Sequence, residues 1–233
     1  MLFNVNTRFL VKMLFVSLFL VIGLNYLTIF LFYEEILNGG LGFKIFSLFT
    51  VDFKTSLPTY FNTFLILVAL AFLAMITLHL KKIRSQLMYN WMLLTLAFLI
   101  LSLDENPDVH NFFVRAISKY DDVGHGLALN YAWGMPYGAI AILFIFFLIK
   151  FSTTIPKDIA EGFVVSGVIY VLGAIVIGMF GTRILHIHGL HNIKHALVAS
   201  YEESLEMIGL TLFIYFLLKY IRVEFKSFSF EIN

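Results

Sequence analysis

Two stretches of this chain concentrate the side chains that do acid–base and metal chemistry. One is SLDENPDVH at 102–110, with Asp104, Glu105 and His110. The other is HIHGLHNIKHALVASYEESLE, which runs from His186 to Glu206 and also holds His188, His191, His195, Glu202 and Glu203. His191 and His195 stand four residues apart, the spacing that lets two imidazoles on one helix face reach one ion. Glu202 and Glu206 repeat that spacing with carboxylates. At about 100° per residue, His188, His191, His195, Glu202 and Glu206 fall within an arc of roughly 60°. An unbroken helix from His188 to Glu206 would be about 27 Å long, so only neighbours along it could share an ion. Gly189 argues against such a helix being continuous. A carboxylate from Asp104 or Glu105, with His110, would complete a His/carboxylate set suited to zinc, iron or manganese. The candidate metal ligands are therefore Asp104, Glu105, His110, His191, His195, Glu202 and Glu206, and no catalytic residue is assigned.

Plainer readings of the same residues exist. A wet polar pocket needs no metal, and a belt of histidines and acids at headgroup level needs no site at all. Glu202 and Glu203 could be first-turn acids that complement a helix dipole; Glu206, nearer the apolar run, fits that account less well. With no cysteine in the chain, disulfides, thiolate catalysis and cysteine-bound metals are excluded, and any metal must rest on His, Asp or Glu. The motifs of phosphate-binding loops, HExxH metalloproteases and GxSxG hydrolases are missing, as is a basic aromatic surface for nucleic acid. His79 lies alone at a helix end, so paired haem-binding histidines within the spans are missing too.

The elements that must position these residues are read from hydropathy. Hydrophobic residues make up 60% of the chain and charged residues 13%, far more apolar surface than 233 residues can hide within themselves. Six runs are long and apolar enough to cross about 30 Å of hydrocarbon: approximately 10–33, 59–80, 87–104, 131–150, 162–182 and 203–222. They are continuous, not alternating, which predicts an all-α bundle of about six transmembrane helices forming a single domain over 1–233. The first run lacks a cleavage site and reads as a retained span.

Lys and Arg set the orientation. With the N-terminus cytoplasmic, ten fall inside (Arg8, Lys12, Lys81, Lys82, Arg84, Lys150, Lys157, Lys219, Arg222 and Lys226) and six outside. Both termini are thus expected in the cytoplasm. The same topology sends eleven of the fifteen acids and six of the seven histidines to the outer face. Residues 40–58 contain a Phe-rich piece expected at the interface. Asn106-Pro107-Asp108 reads as the start of a short helix to about Ser118. Trp91, Trp133, Tyr131 and Tyr137 are expected in the aromatic belts. Gly134 and Gly138 form a GxxxG, and Gly162, Gly167, Gly173, Gly178 and Gly181 predict a centrally buried fifth span. The same glycines would serve homo- or hetero-oligomeric packing.

The pairing of LDENPDVH at the end of one span with EESLEMIG at the start of the last resembles a loose set of uncharacterised prokaryotic multi-span membrane proteins, in which LDE…H and EE…EM…G motifs recur. The likeness covers about thirty residues plus the helix count. It implies a prokaryotic inner or plasma membrane and no particular activity. Asn111 follows His110 where that pattern has Glu. A fainter similarity is to membrane-embedded zinc hydrolases of the alkaline ceramidase type, whose motif order and spacing differ, so no residue is carried over. Three functions stay open: a divalent-metal site at the extracytoplasmic face hydrolysing a lipid-like substrate, a small transporter or channel using the same polar cluster, and an accessory or scaffolding subunit.

Overall fold

Each of the six apolar runs coincides with a helix in the computed structural model, which describes residues 7–33, 40–51, 53, 55–105, 134–189 and 192–224. For residues 104, 105, 134–141 and 186 the backbone alone is described. The helices are α1 (Thr7–Phe32), α2 (Gly40–Phe49), α3 (Leu57–Lys82), α4 (Met88–Glu105), α5 (Gly134–Ser152), α6 (Lys157–Val171), α7 (Gly178–His188) and α8 (Ile193–Glu224). A π-helical stretch, Leu172–Ile177, joins α6 to α7 without a break. There is no strand among the described residues. Four helical lengths are long and apolar enough to cross a membrane: α1, α3, the α6–π–α7 rod and α8. The Phe-rich piece at 40–58 forms α2, and the short helix expected after Asn106 lies outside the described residues.

Local chemistry sets the boundaries. Ser56 caps α3, its Oγ accepting from the Thr59 amide, with Pro58 in the first turn where a missing N–H costs nothing. At the other end, the Ser85 amide donates to Leu80 O at 3.0 Å and the Arg84 amide to Lys81 O at 3.1 Å. These nested bonds are a Schellman termination, and Arg84 occupies its left-handed position with φ 53°. Gly189 ends α7 with φ 78°, its amide donating to Leu185 O at 2.9 Å. Asn192 then caps α8, Oδ1 accepting from the Lys194 amide at 2.8 Å. As Gly189 in the sequence suggests, the helix is not continuous from His188 to Glu206: His188 closes one helix and His195 lies in the first turn of the next.

α8 is the axis of the bundle, packing against α1, α3, α6, the π stretch and α7. The glycine-rich fifth span was expected in the centre; it flanks α8, and its glycines are where the two rods approach. A Cβ on Gly162 would run into the Phe216 ring, and one on Gly173 would stand 2.9 Å from Glu202 O. Gly209 returns the contact from α8, since a Cβ there would stand 2.9 Å from Ser166 O. Such close backbone approach brings many atoms of the two rods into dispersion contact, which is where the packing energy comes from.

The half of the bundle nearer the α3–α4 turn is an aromatic core. Trp91 (α4) packs on Phe151 (α5), Phe163 (α6) and Tyr220 (α8), while Phe98 stacks on Phe213 with centroids 4.8 Å apart. Trp91 was expected in an aromatic belt; it is fully buried, its indole filling the space between four helices. Trp133 and Tyr131 lie outside the described residues, and for Tyr137 only the backbone is described. Lys219 of α8 reaches Asp158 at the start of α6 at 2.6 Å, tying these two helix ends together. At the opposite end Ile29, Phe46 and Ala196 join α1, α2 and α8 in a small apolar cluster. There Asn25, buried in α1, accepts from the Val51 amide at 3.3 Å and holds the chain after α2.

Candidate functional site

α8 carries Glu202, Glu203 and Glu206 within little more than one turn, nine or more residues past the start of the helix. The first-turn explanation for Glu202 and Glu203 is therefore corrected: at this depth a carboxylate is beyond the reach of the terminal amides. The three side chains take different neighbours. Asn62 of α3, fully buried, donates from Nδ2 to Glu206 Oε2 at 3.0 Å and to Glu203 Oε2 at 3.4 Å. Glu206 itself is buried, with 8% of its surface exposed. The Glu202 carboxylate turns the other way, into the niche left by two glycines. A Cβ on Gly178 would stand 2.6 Å from Glu202 Oε1, and one on Gly181 would stand 3.6 Å from Oε2.

This arrangement redraws the carboxylate pairing read from spacing. Glu202 and Glu206 lie on one side of α8, yet Glu206 shares a partner with Glu203, and Glu202 is held by the π–α7 rod. The π stretch lies beside this site, with Gly173 against the α8 backbone at Glu202 and Glu206. A π turn inserts one residue into the helix and rotates the residues downstream of it, here Gly178 and Gly181.

The other candidates are dispersed. His195 is half-buried in the first turn of α8, and the rise to Glu206 is about 16 Å, so one ion cannot be bound by both. His110 and His191 lie outside the described residues. Asp104 and Glu105 end α4, and the backbone register says where. The stacked pairs step outward by seven residues on both helices, from Trp91 with Tyr220 to Phe98 with Phe213. One further heptad of the same register sets position 105 across from position 206. The end of the third apolar run and the start of the sixth thus come to one level of the bundle. Among the described residues no group of three or more His, Asp or Glu is placed to hold a metal ion.

Two residues of the site region are not singled out by motif or spacing. Asn62 sits inside the apolar run 59–80 and Asn25 inside 10–33, and a buried amide in such a run is costly unless it is used. That cost is the signal by which the sequence could have disclosed them.

No curated protein and no solved structure matches this chain. A family model does: it matches residues 12–220, nearly the whole chain, and the chain belongs to the family described as a domain of unknown function, DUF8692.

Proposed function

We propose that the chain is an integral membrane protein of six spans with both termini in the cytoplasm, and that its outer half binds a divalent cation through the carboxylates gathered around Asn62. The membrane reading is supported by apolar side chains that remain outside the bundle, such as Phe30 at 85% and Phe19 at 71% exposed, together with Ile100, Leu143 and Phe146. A water-facing surface does not carry so continuous an apolar cover. The cation reading is carried by one observation: a single buried amide nitrogen lies within hydrogen-bonding distance of both Glu203 and Glu206. Carboxylates brought together away from water are stabilised by a cation as well as by a donor. Asn62, turned over, can present an oxygen to the ion. Asp104 and Glu105, at the facing end of α4, are the natural additional ligands.

An oxygen-rich set of this kind favours manganese or iron over zinc, which His191, His195 and His110 would attract. Placed near the outer surface, the ion would serve hydrolysis of a lipid-like substrate, polarising its carbonyl or phosphoryl oxygen, with Glu202 as the nearby carboxylate able to take a proton. The same carboxylates support a second reading, passage of protons or cations, because Glu206 faces into the bundle beside a π turn. A scaffolding role would have to use other glycines, such as Gly134 and Gly138, since Gly162, Gly173, Gly178 and Gly209 face neighbours within the chain.

Elemental analysis of the purified full chain tests the metal. About one equivalent of manganese, iron or zinc that falls severalfold in Glu206→Gln is the expected result. Below about a tenth of an equivalent, with no change in the variant, the metal reading fails. Cation flux into vesicles that vanishes in Glu206→Gln, with no bound metal, would select the second reading. Reporters fused at Arg84 and at Asn192 should appear on opposite sides of the membrane; a common side would refute the topology.

A further inference from the structure

The turn between α3 and α4 carries three cations on a rigid frame. Lys81, Lys82 and Arg84 are all exposed, and none of them forms an ion pair among the described residues. No acid occurs in the sequence between Asp52 and Asp104, so the only acids of the α3–α4 hairpin stand at the far end of α4, about 30 Å of helix from the turn. Elsewhere the basic residues Lys157 and Lys219 are matched with Glu161 and Asp158. Between these cations Ile83 is 58% exposed, and Tyr89 just beyond is 61% exposed. Apolar groups flanked by cations at the end of two apolar helices match the chemistry of a bilayer surface, hydrocarbon below and phosphate above.

The backbone adds an independent reason. The Schellman termination puts Arg84 at φ 53°, where glycine is favoured and a side chain carries a steric cost. Keeping arginine there indicates a use for the guanidinium, which forms no side-chain bond that would offset the cost within the turn. Guanidinium binds phosphate in a planar, two-pronged manner, and two flexible ammonium groups beside it supply the rest of the charge.

We infer that the α3–α4 turn is a binding surface for the phosphate headgroups of anionic lipids, with Lys81, Lys82 and Arg84 as the cations and Ile83 inserted beneath them. The inference rests on the proposed topology only in assigning the turn to the cytoplasmic leaflet.

The test uses the full chain in nanodiscs whose two leaflets are identical, so that orientation does not enter, and native mass spectrometry of retained lipid. Phosphatidylglycerol should be retained over phosphatidylcholine, and high salt should weaken the preference. Loss of one cation should reduce the preference about fivefold and loss of all three about a hundredfold. Arg84→Gly is the decisive single variant, because it relieves the turn: it should unfold no more easily than the parent in zwitterionic detergent while losing lipid preference. Equal retention of both lipids, or an undiminished preference in K81Q/K82Q/R84G, would overturn the site. Displacement of the lipid by inorganic phosphate at millimolar concentration would overturn the assignment to a lipid source. Reporter fusions that contradict the topology would leave a positive lipid result standing, and a negative lipid result would leave the topology standing.

Discussion

Gly173 and Gly178 both face Glu202, yet a methyl group should have opposite consequences at the two positions. At Gly173 a Cβ would lie 2.9 Å from Glu202 O, 2.9 Å from the Leu205 Cβ and 3.3 Å from the Glu206 amide nitrogen. All three atoms belong to the α8 backbone or are fixed to it, so no rotamer can yield. Ordinary contact requires the helices to separate by about 0.5 Å, which weakens dispersion along the whole seam. Overpacking of this kind costs about 1–3 kcal/mol, less whatever helix propensity alanine restores. At Gly178 the nearest atom, at 2.6 Å, is Glu202 Oε1, the far end of a flexible side chain. The carboxylate can swing aside, so the packing cost should stay below about 1 kcal/mol. Reversible unfolding in mixed micelles, followed by far-UV circular dichroism, measures both. Gly173→Ala should lower the midpoint clearly, by about 2–10 °C when read thermally, while Gly178→Ala should leave it nearly unchanged and alter cation-dependent stabilisation. Equal stabilities, or Gly178→Ala as the weaker protein, would refute a seam set by Gly173 and a niche set by Gly178.

Asn62→Ala should cost about 1.5–3 kcal/mol, because it removes the donor shared by two carboxylates; added manganese should recover part of that loss in a melting assay if a cation can take the donor's place. Trp91→Ala should be the most damaging single truncation in the aromatic core, about 3–5 kcal/mol, with Trp91→Phe recovering most of it in the same unfolding assay. Asn25→Ala should cost about 1–2 kcal/mol and raise amide exchange locally at Val51, with little change at Asn62, since its bond holds only the chain after α2.

Hydropathy located the long helices among the described residues, because each is a long continuous apolar run, while α2 showed only as a Phe-rich piece between two such runs. The bounds of α3 and α8 were less legible. α8 begins ten residues before its apolar run, and that polar extension shows in the sequence only as periodicity, because Gly189 ending one helix and Asn192 capping the next are settled by backbone conformation. Which helix sits at the centre was hidden for another reason. Small residues mark a close approach but not its direction, so the glycines of α6 and α7 pointed to a seam without showing that α8 occupies the axis. Trp91 shows the same limit: a tryptophan near a helix end suits a headgroup belt and a buried end equally, and only its packing against Phe151, Phe163 and Tyr220 decides.

The site was legible in its acids and hidden in its partners. Glu206 stood out because it lies where the apolar run begins, whereas Asn62 was one amide in a long greasy segment and Glu203 had an easier explanation at a helix start. What joins them is the Asn62 amide, which donates to both carboxylates. Trp91 packs tilted on Tyr220 and Phe98 stacks on Phe213, and one heptad further along, the α8 position is Glu206, a side chain that cannot stack. By the same register, positions 105 and 206 lie at one level of the bundle, although the sequence separates them by about a hundred residues.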